Sequence, residues 1–148
     1  MGRKVLPPTY LLVAIMIMLA LHLVFPVIKV IPTPWNILGI VPLACGVALN
    51  LAADKAFREA GTTVKPFEES TVLVTSGVFR LSRNPMYLGY VLILIGIAIM
   101  VRSLVPHVVI PVFAVLMERV FISVEEGMLA GNLGQAWSVY AEKVRRWI

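Results

Sequence analysis

The stretch RLSRNPMYLGYVLILIGIAIMVR, residues 80–102, decides the fold class of this chain. It opens with Arg80 and Arg83 and then runs for eighteen residues without a charged side chain. A membrane-spanning helix needs roughly 20 apolar residues, with a range of about 17–25. Asn84 is of a type favoured just before a helix, and Pro85 suits the first helical position. The stretch therefore predicts a spanning helix that begins at Pro85, beside two arginines.

The composition of the whole chain agrees with a membrane location. Only 14% of the 148 residues are charged, 59% are hydrophobic, and the mean hydropathy is +0.91. Soluble domains usually carry about 25% charged residues. Three further stretches have no charged side chain: Val5–Ile28, Val30–Ala53 and Ser103–Met117. We therefore expect an all-α integral membrane protein, one domain over residues 1–148, with four transmembrane helices at about residues 8–29, 35–53, 85–101 and 104–122.

The distribution of positive charge predicts the orientation. If the N-terminus is cytoplasmic, only Lys29 and Arg102 lie outside, and the other eleven lysines and arginines lie inside. This asymmetry is what the positive-inside rule requires, so we expect both termini to be cytoplasmic. The net charge of +5 fits contact with anionic lipid, and no basic run with interleaved aromatic residues suggests nucleic acid. Cys45 is the single cysteine, and no spacing of ligand residues predicts a metal site.

Two polar regions remain on the predicted cytoplasmic side. Asp54–Ser82 forms a long loop, in which TVLV at residues 71–74 resembles a short edge strand. After Met117 the apolar residues recur at helical spacing, which predicts two short amphipathic helices. In span two, Gly39 and Gly46 together with alanines at every fourth position predict close packing against another helix. Those alanines are Ala44, Ala48 and Ala52.

The start of span three could bind a ligand. Its free N–H groups and positive dipole end, next to Arg80 and Arg83, favour an anion such as a carboxylate or phosphate. The rings of Phe79 and Tyr87 could contact a cation. The alternative is an ordinary capped helix with arginine anchors, and on this feature alone that alternative is favoured.

Glu125 and Glu126 are a second unusual feature, since two adjacent carboxylates occur here in an apolar setting. Successive helical residues point about 100° apart, so a regular helix cannot direct both into one pocket. One of the two carboxylates, turned toward the start of span three, would supply an acceptor for hydroxyl or ammonium groups. Glu126 is interpreted as a solvated turn residue.

Two motifs together resemble a known family. LVTSGVFRLSRNPMYLGY at residues 73–90, followed by VEEGMLAGNLGQAWSVYAEKVRRW at residues 124–147, is similar to the isoprenylcysteine carboxyl methyltransferase and phospholipid methyltransferase group of membrane enzymes. The order and separation of the motifs match that group, and the resemblance covers about the C-terminal half of the chain. Spans one and two carry no motif.

The resemblance implies methyl transfer from S-adenosylmethionine to a membrane-embedded lipid or small hydrophobic acceptor, with S-adenosylhomocysteine as product. It places the cofactor in a cytoplasmic pocket built by residues of about 70–89 and 119–147, and lets the acceptor enter from the bilayer. By motif position, the implied cofactor-binding residues are Thr71, Val72, Leu73, Val74, Phe79, Asn84, Pro85, Met86, Tyr87, Glu125 and Glu126.

The acceptor is less defined than the donor. Carboxyl methyltransferases of the group have His where this chain has Asn84, and a basic residue where it has Phe121. Arg119, two positions further back, is the candidate substrate-binding residue. Methylation of a prenylcysteine carboxylate or thiol is therefore the alternative reaction, and a non-catalytic four-helix membrane scaffold is the alternative of another class. No His–carboxylate or Cys–His arrangement suggests a catalytic residue.

Overall fold

The computed structural model describes residues 6–25, 29–61 and 72–148, and within these ranges the protein is built of helices without a β-strand. The predicted all-α class is therefore confirmed. The 3-10 segment Trp35–Gly39 leads into the second helix, and the π-turn Glu118–Ile122 joins the fourth helix to the fifth. The α-helices are α1 Pro7–Val24, α2 Ile40–Glu59, α3 Pro85–Val101, α4 Val109–Met117, α5 Ser123–Leu133 and α6 Gln135–Lys143.

Three helical segments are long and apolar enough to cross a membrane: Pro7–Val24, Trp35–Glu59 and Val105–Leu133. The last is continuous through α4, the π-turn and α5. Helix α3 is also apolar, but its 17 residues give a length of about 26 Å, slightly less than a hydrocarbon core of about 30 Å. Among the described residues, three helical segments are thus long and apolar enough to span, and the fourth span stays a prediction.

The first two spans end at other residues than predicted. Helix α1 ends at Val24 rather than near residue 29, because Phe25 precedes a proline in the sequence and has left the helical region. Helix α2 continues to Glu59, six residues beyond the apolar stretch. Ion pairs from Arg58 to Asp54 and from Lys55 to Glu59, each four residues apart, support this extension.

Helix α3 packs against α2 and the 3-10 segment before it through two pairs of glycines. A Cβ atom on Gly46 would lie 2.4 Å from the carbonyl oxygen of Gly89, and one on Gly96 would lie 2.6 Å from that of Gly39. The members of the two pairs are seven residues apart on each helix, so the close approach extends over two turns. The predicted glycine contact is therefore confirmed. The alanine part of that prediction is wrong, since Ala44 and Ala48 lie exposed on another face of α2.

The main apolar core surrounds α3 and contains its buried residues Leu94 and Ala98. Met18 of α1 and Met117 of α4 are fully buried against this cluster, and Phe121 of the π-turn is 1% exposed. Helix α3 is thus enclosed by α1 and α4 on one side and by α2 on the other. This packing fixes the position of the α3 N-terminus.

The C-terminal helices differ in part from the predicted two short pieces. Helix α5 continues from α4, although it contains Gly127 and Gly131. The break comes at Gly134, whose φ of 50° lies in the left-handed region that glycine tolerates. Only α6 is a separate short helix. A short strand was predicted at residues 71–74; Thr71 lies outside the described residues, and residues 72–74 are irregular in the structure.

Candidate functional site

Asn84 stands immediately before α3, as predicted, but its side chain does not cap the helix. Its amide nitrogen Nδ2 donates to Oε1 of Glu126 at 3.3 Å and to the backbone oxygen of Arg146 at 3.2 Å. The backbone N–H of Asn84 donates to the hydroxyl of Ser82 at 3.0 Å. Asn84 therefore ties α3 to α5 and to the C-terminal residues instead of satisfying the first turn of its own helix.

Tyr87 and Glu125 form the second connection between α3 and α5. The Tyr87 hydroxyl donates to Oε1 of Glu125 at 2.8 Å. The ring of Tyr87 stacks on that of Phe121, with centroids 6.2 Å apart, and Tyr10 of α1 packs edge-on against Phe121 at 5.3 Å. Glu125 is thus held at the border between an aromatic cluster and the polar start of α3.

Glu126 lies in a network of charges rather than in a solvated turn, so that expectation is wrong. It is 9% exposed. Arg146 donates to its Oε2 from Nη2 at 2.7 Å and from Nε at 3.1 Å. A third donor of Arg146, Nη1, reaches Oε1 of Glu118 at 2.7 Å. The hydrogen bonds that Arg146 donates to Glu126 and Glu118 raise the pKa of its guanidinium above the ordinary value, so the group stays charged.

Both adjacent carboxylates contact the beginning of α3. From the geometry of a regular helix we expected only one of them to do so. Glu125 meets Tyr87, and Glu126 meets Asn84, one turn earlier on α3. The two partners are three residues apart on one helix face, so side chains that diverge from neighbouring positions can each reach one of them. The π-turn Glu118–Ile122 precedes α5, and such turns often occur at functional sites.

Arg83 supports the same network from the other side. Its Nε lies 3.7 Å from Oε1 of Glu126, an ion-pair distance, and its guanidinium lies 5.6 Å from the centre of the Trp137 ring. Its backbone N–H donates to the backbone oxygen of Arg145 at 3.0 Å. Arg80 is exposed. Of the two arginines predicted to flank the helix start, therefore, only Arg83 is built into the network around Glu126.

Phe79 belongs to a separate apolar cluster with Ala53 and Val74. Its ring packs edge-on against Phe57 at 5.0 Å, and its backbone oxygen accepts a hydrogen bond of 2.7 Å from Tyr140. Burial raises the pKa of the Tyr140 hydroxyl to about 12, so it remains a donor at neutral pH. Since Tyr87 is part of the main core, the two rings expected to flank a cation lie in different clusters.

The remaining predicted residues fall into three groups. Pro85 is buried, and Met86 packs against the Phe79 cluster. Val72 is exposed, Leu73 is half-buried and Arg119 is exposed. Thr71 lies outside the described residues. No group of three or more potential metal ligands occurs in the described ranges.

Sequence reasoning missed the residues that complete this network. The available signal was the occurrence of charged and aromatic side chains in a chain poor in charge. The run KVRRW at residues 143–147 contains such side chains. The residues that contact this run could not be inferred, because they lie about sixty and about twenty positions earlier in the sequence. The missed residues are Ser82, Glu118, Trp137, Tyr140 and Arg146.

Comparison with family profiles matches residues 34–136 to the phospholipid methyltransferase family. The match covers more than half of the chain and includes α3, the π-turn and both adjacent glutamates. No curated protein matches the chain significantly. The protein therefore belongs to the phospholipid methyltransferase family, within the isoprenylcysteine/phospholipid methyltransferase group, as the two motifs indicated. This family membership supports a membrane methyltransferase.

Proposed function

We propose that the protein transfers a methyl group from S-adenosylmethionine to a membrane-embedded lipid or small hydrophobic acceptor and releases S-adenosylhomocysteine. The observation that carries the proposal is the pair of contacts, Tyr87 with Glu125 and Asn84 with Glu126, at the start of α3 in a member of this family. Residues of about 70–89 and 119–147 are proposed to form the cofactor pocket, within a single domain over residues 1–148.

The donors and acceptors at this place fit such a cofactor. The Asn84 side chain leaves the first turn of α3 uncapped, so its N–H groups and positive dipole end suit a carboxylate. Glu125 is engaged by the neutral hydroxyl of Tyr87, and its carboxylate suits hydroxyl or amino groups of a ligand. When bound, the cofactor would supply an already activated methyl group, so the protein needs no strong base.

The task of the protein is then positioning and exclusion of water. Methyl transfer requires a nucleophile about 3–3.5 Å from the methyl carbon, in line with the bond that breaks. Tyr87 holds Glu125 by its hydroxyl and is itself held by stacking on Phe121. This chain of contacts gives Glu125 a defined direction, and the apolar core beside it limits access of water.

A lipid acceptor is supported over a prenylcysteine carboxylate by the surroundings of Phe121. Its side chain is 1% exposed, within an aromatic cluster with Tyr10 and Tyr87. At the position where binding of a carboxylate acceptor would require a cation, this chain therefore has a buried aromatic ring. Arg119 is proposed as a substrate contact because it is exposed in the π-turn that follows the apolar helix α4, and its cation suits an anionic lipid group.

The proposal includes four spans, with both termini and the site on the cytoplasmic side. Labelling single cysteines in a Cys45→Ala background with a membrane-impermeant maleimide tests this orientation in spheroplasts of a bacterial expression host. Positions 58 and 143 should be protected until the inner membrane is lysed, and position 30 should react at once. The reverse pattern would overturn the orientation.

Binding of S-adenosylhomocysteine to the purified protein, measured by calorimetry, tests the function. Wild type should bind, and Glu125→Gln should bind at least tenfold more weakly because a charged acceptor is lost. Glu142→Gln is the matched control, since Glu142 is exposed on α6 and should leave the affinity unchanged. A folded wild type without affinity for the ligand would favour the non-catalytic scaffold. Labelled-methyl transfer into lipid extracts and prenylcysteines then separates the two acceptor classes.

A further inference from the structure

We infer that the C-terminal segment Val144–Trp147 is a clasp that fixes two site residues, Asn84 and Glu126, and that Arg146 is its positioning residue. The effect on cofactor binding rests on the proposed function, whereas the effect on the geometry of the site does not. The family match ends at residue 136, so these residues lie beyond it.

The backbone of the clasp holds three consecutive residues before α3. The Arg145 oxygen accepts from the N–H of Arg83 at 3.0 Å. The Arg146 oxygen accepts from the hydroxyl of Ser82 at 3.0 Å and from Nδ2 of Asn84 at 3.2 Å. A carbonyl oxygen has two lone pairs, and here both have a donor.

The side chain of Arg146 fixes the opposite partner of Asn84. Two of its nitrogens bind Oε2 of Glu126, while Oε1 of the same carboxylate accepts from Nδ2 of Asn84 at 3.3 Å. A third nitrogen binds Glu118, so the guanidinium connects the first residue of the π-turn to Glu126 of α5. Arg146 therefore determines both acceptors of the Asn84 amide group. Its own backbone oxygen is the first, and its side chain holds the second, the Glu126 carboxylate.

This arrangement determines what Asn84 can offer to a ligand. An amide group has two N–H donors and one carbonyl acceptor. Both acceptors around Nδ2 belong to the protein, so Oδ1 is the atom left for a ligand, and Asn84 acts there as an acceptor. Without Arg146, Glu126 would be a buried carboxylate short of its main cation, and the amide would lose its fixed orientation.

The chain offers matched variants for a test. Arg145 contributes only its backbone oxygen to the contacts described above, and its side chain is exposed, so Arg145→Gln removes the same charge and keeps the backbone contact of the clasp. Arg146→Lys keeps the charge but cannot bridge Glu118 and Glu126 in the same fork geometry. Leu94→Val lowers stability in the core, about 15 Å along α3 from the site, and controls for general destabilisation.

The experiment measures hydrogen exchange at the Arg83 and Asn84 amides in ligand-free protein and the affinity for S-adenosylhomocysteine by calorimetry. For Arg146→Gln we expect at least tenfold faster exchange at both amides and at least tenfold weaker binding. Arg146→Lys should be intermediate, and both Arg145→Gln and Leu94→Val should stay within about twofold of wild type in affinity.

Unchanged exchange in Arg146→Gln, or an equal effect of Leu94→Val on binding, would overturn the clasp. If Arg146→Gln does not fold, Arg146→Lys decides by the same two measurements. If wild type binds no S-adenosylhomocysteine, the proposed function fails, and the exchange data still decide the clasp.

Discussion

The hydroxyl of Tyr87 donates a hydrogen bond of 2.8 Å to Oε1 of Glu125, and this contact joins the first turn of α3 to α5. The two residues are 38 positions apart in the sequence. The Tyr87 side chain is buried and its ring stacks on Phe121, which restricts the position of the ring. The Glu125 carboxylate therefore has one defined partner.

Replacing Tyr87 with Phe should weaken S-adenosylhomocysteine binding about tenfold, because Glu125 loses the donor that orients it. The ring and its stacking on Phe121 are retained, so the free energy of unfolding should fall only by the contribution of one hydrogen bond, about 0.5–1.5 kcal/mol. Calorimetry and a thermal unfolding scan check the two parts. Tyr90→Phe is the control, since it makes the same change on a neighbouring buried ring. Equal affinity losses in both variants would contradict a specific role for the Tyr87 hydroxyl.

Asn84→Asp should destabilise the protein by about 1–3 kcal/mol, because a carboxylate oxygen would then face Glu126 and the Arg146 carbonyl without any donor. The lowered midpoint is measured by circular dichroism in detergent. Asn132→Asp makes the same chemical change at an exposed position of α5 and should cost only a few tenths of a kcal/mol. A neutral or stabilising Asn84→Asp would refute the assigned direction of the amide.

Gly46→Ala should destabilise by about 1–3 kcal/mol, because the new methyl group would lie 2.4 Å from the backbone oxygen of Gly89 and force α2 and α3 apart. Gly127→Ala is the matched change in open space within α5, and it should instead stabilise by about 0.5–1 kcal/mol. Thermal unfolding of the two variants should therefore shift in opposite directions. Shifts of the same sign would show that the glycine pair does not determine the close approach.

Tyr140→Phe should lower stability by about 0.5–1.5 kcal/mol at pH 8, since the hydrogen bond to the Phe79 oxygen is lost. Burial raises the pKa of Tyr140 to about 12, above the ordinary value near 10. The stabilisation is therefore fully present below pH 10 and is lost as the pH rises from 10 to 12. The stability difference between wild type and variant, followed by unfolding scans, should shrink over that range. A difference independent of pH would contradict this assignment.

Local signals predicted much of the fold. The apolar run that begins at Pro85 predicted the bounds of α3, because the preference of Pro for the first helical position and the hydrophobic length act within neighbouring residues. Gly39 and Gly46 predicted close helix packing, because small residues let two helix backbones approach each other. The exposed face with Ala44 and Ala48 could not be distinguished from the contact face, because small residues occur on both.

The candidate site was predicted only in part. Motif positions grouped Asn84 and Tyr87 with Glu125 and Glu126, and the structure joins Tyr87 to Glu125 and Asn84 to Glu126, while their cofactor role stays a proposal. Glu126 was misjudged because its burial depends on Arg146, a residue twenty positions later that no local pattern connects to it. Contacts between distant residues are set by the packing of whole helices, which periodicity alone does not reveal.

The helical segment from Val105 to Leu133 is uninterrupted, so the position of each carboxylate along it determines how deep that carboxylate lies. Its 29 residues give about 44 Å, which exceeds a hydrocarbon core of about 30 Å. Glu118, Glu125 and Glu126 therefore sit at heights determined by the helical rise, and no intervening loop absorbs a change. One residue inserted in the apolar part would move all three by about 1.5 Å and turn them by about 100° away from α3.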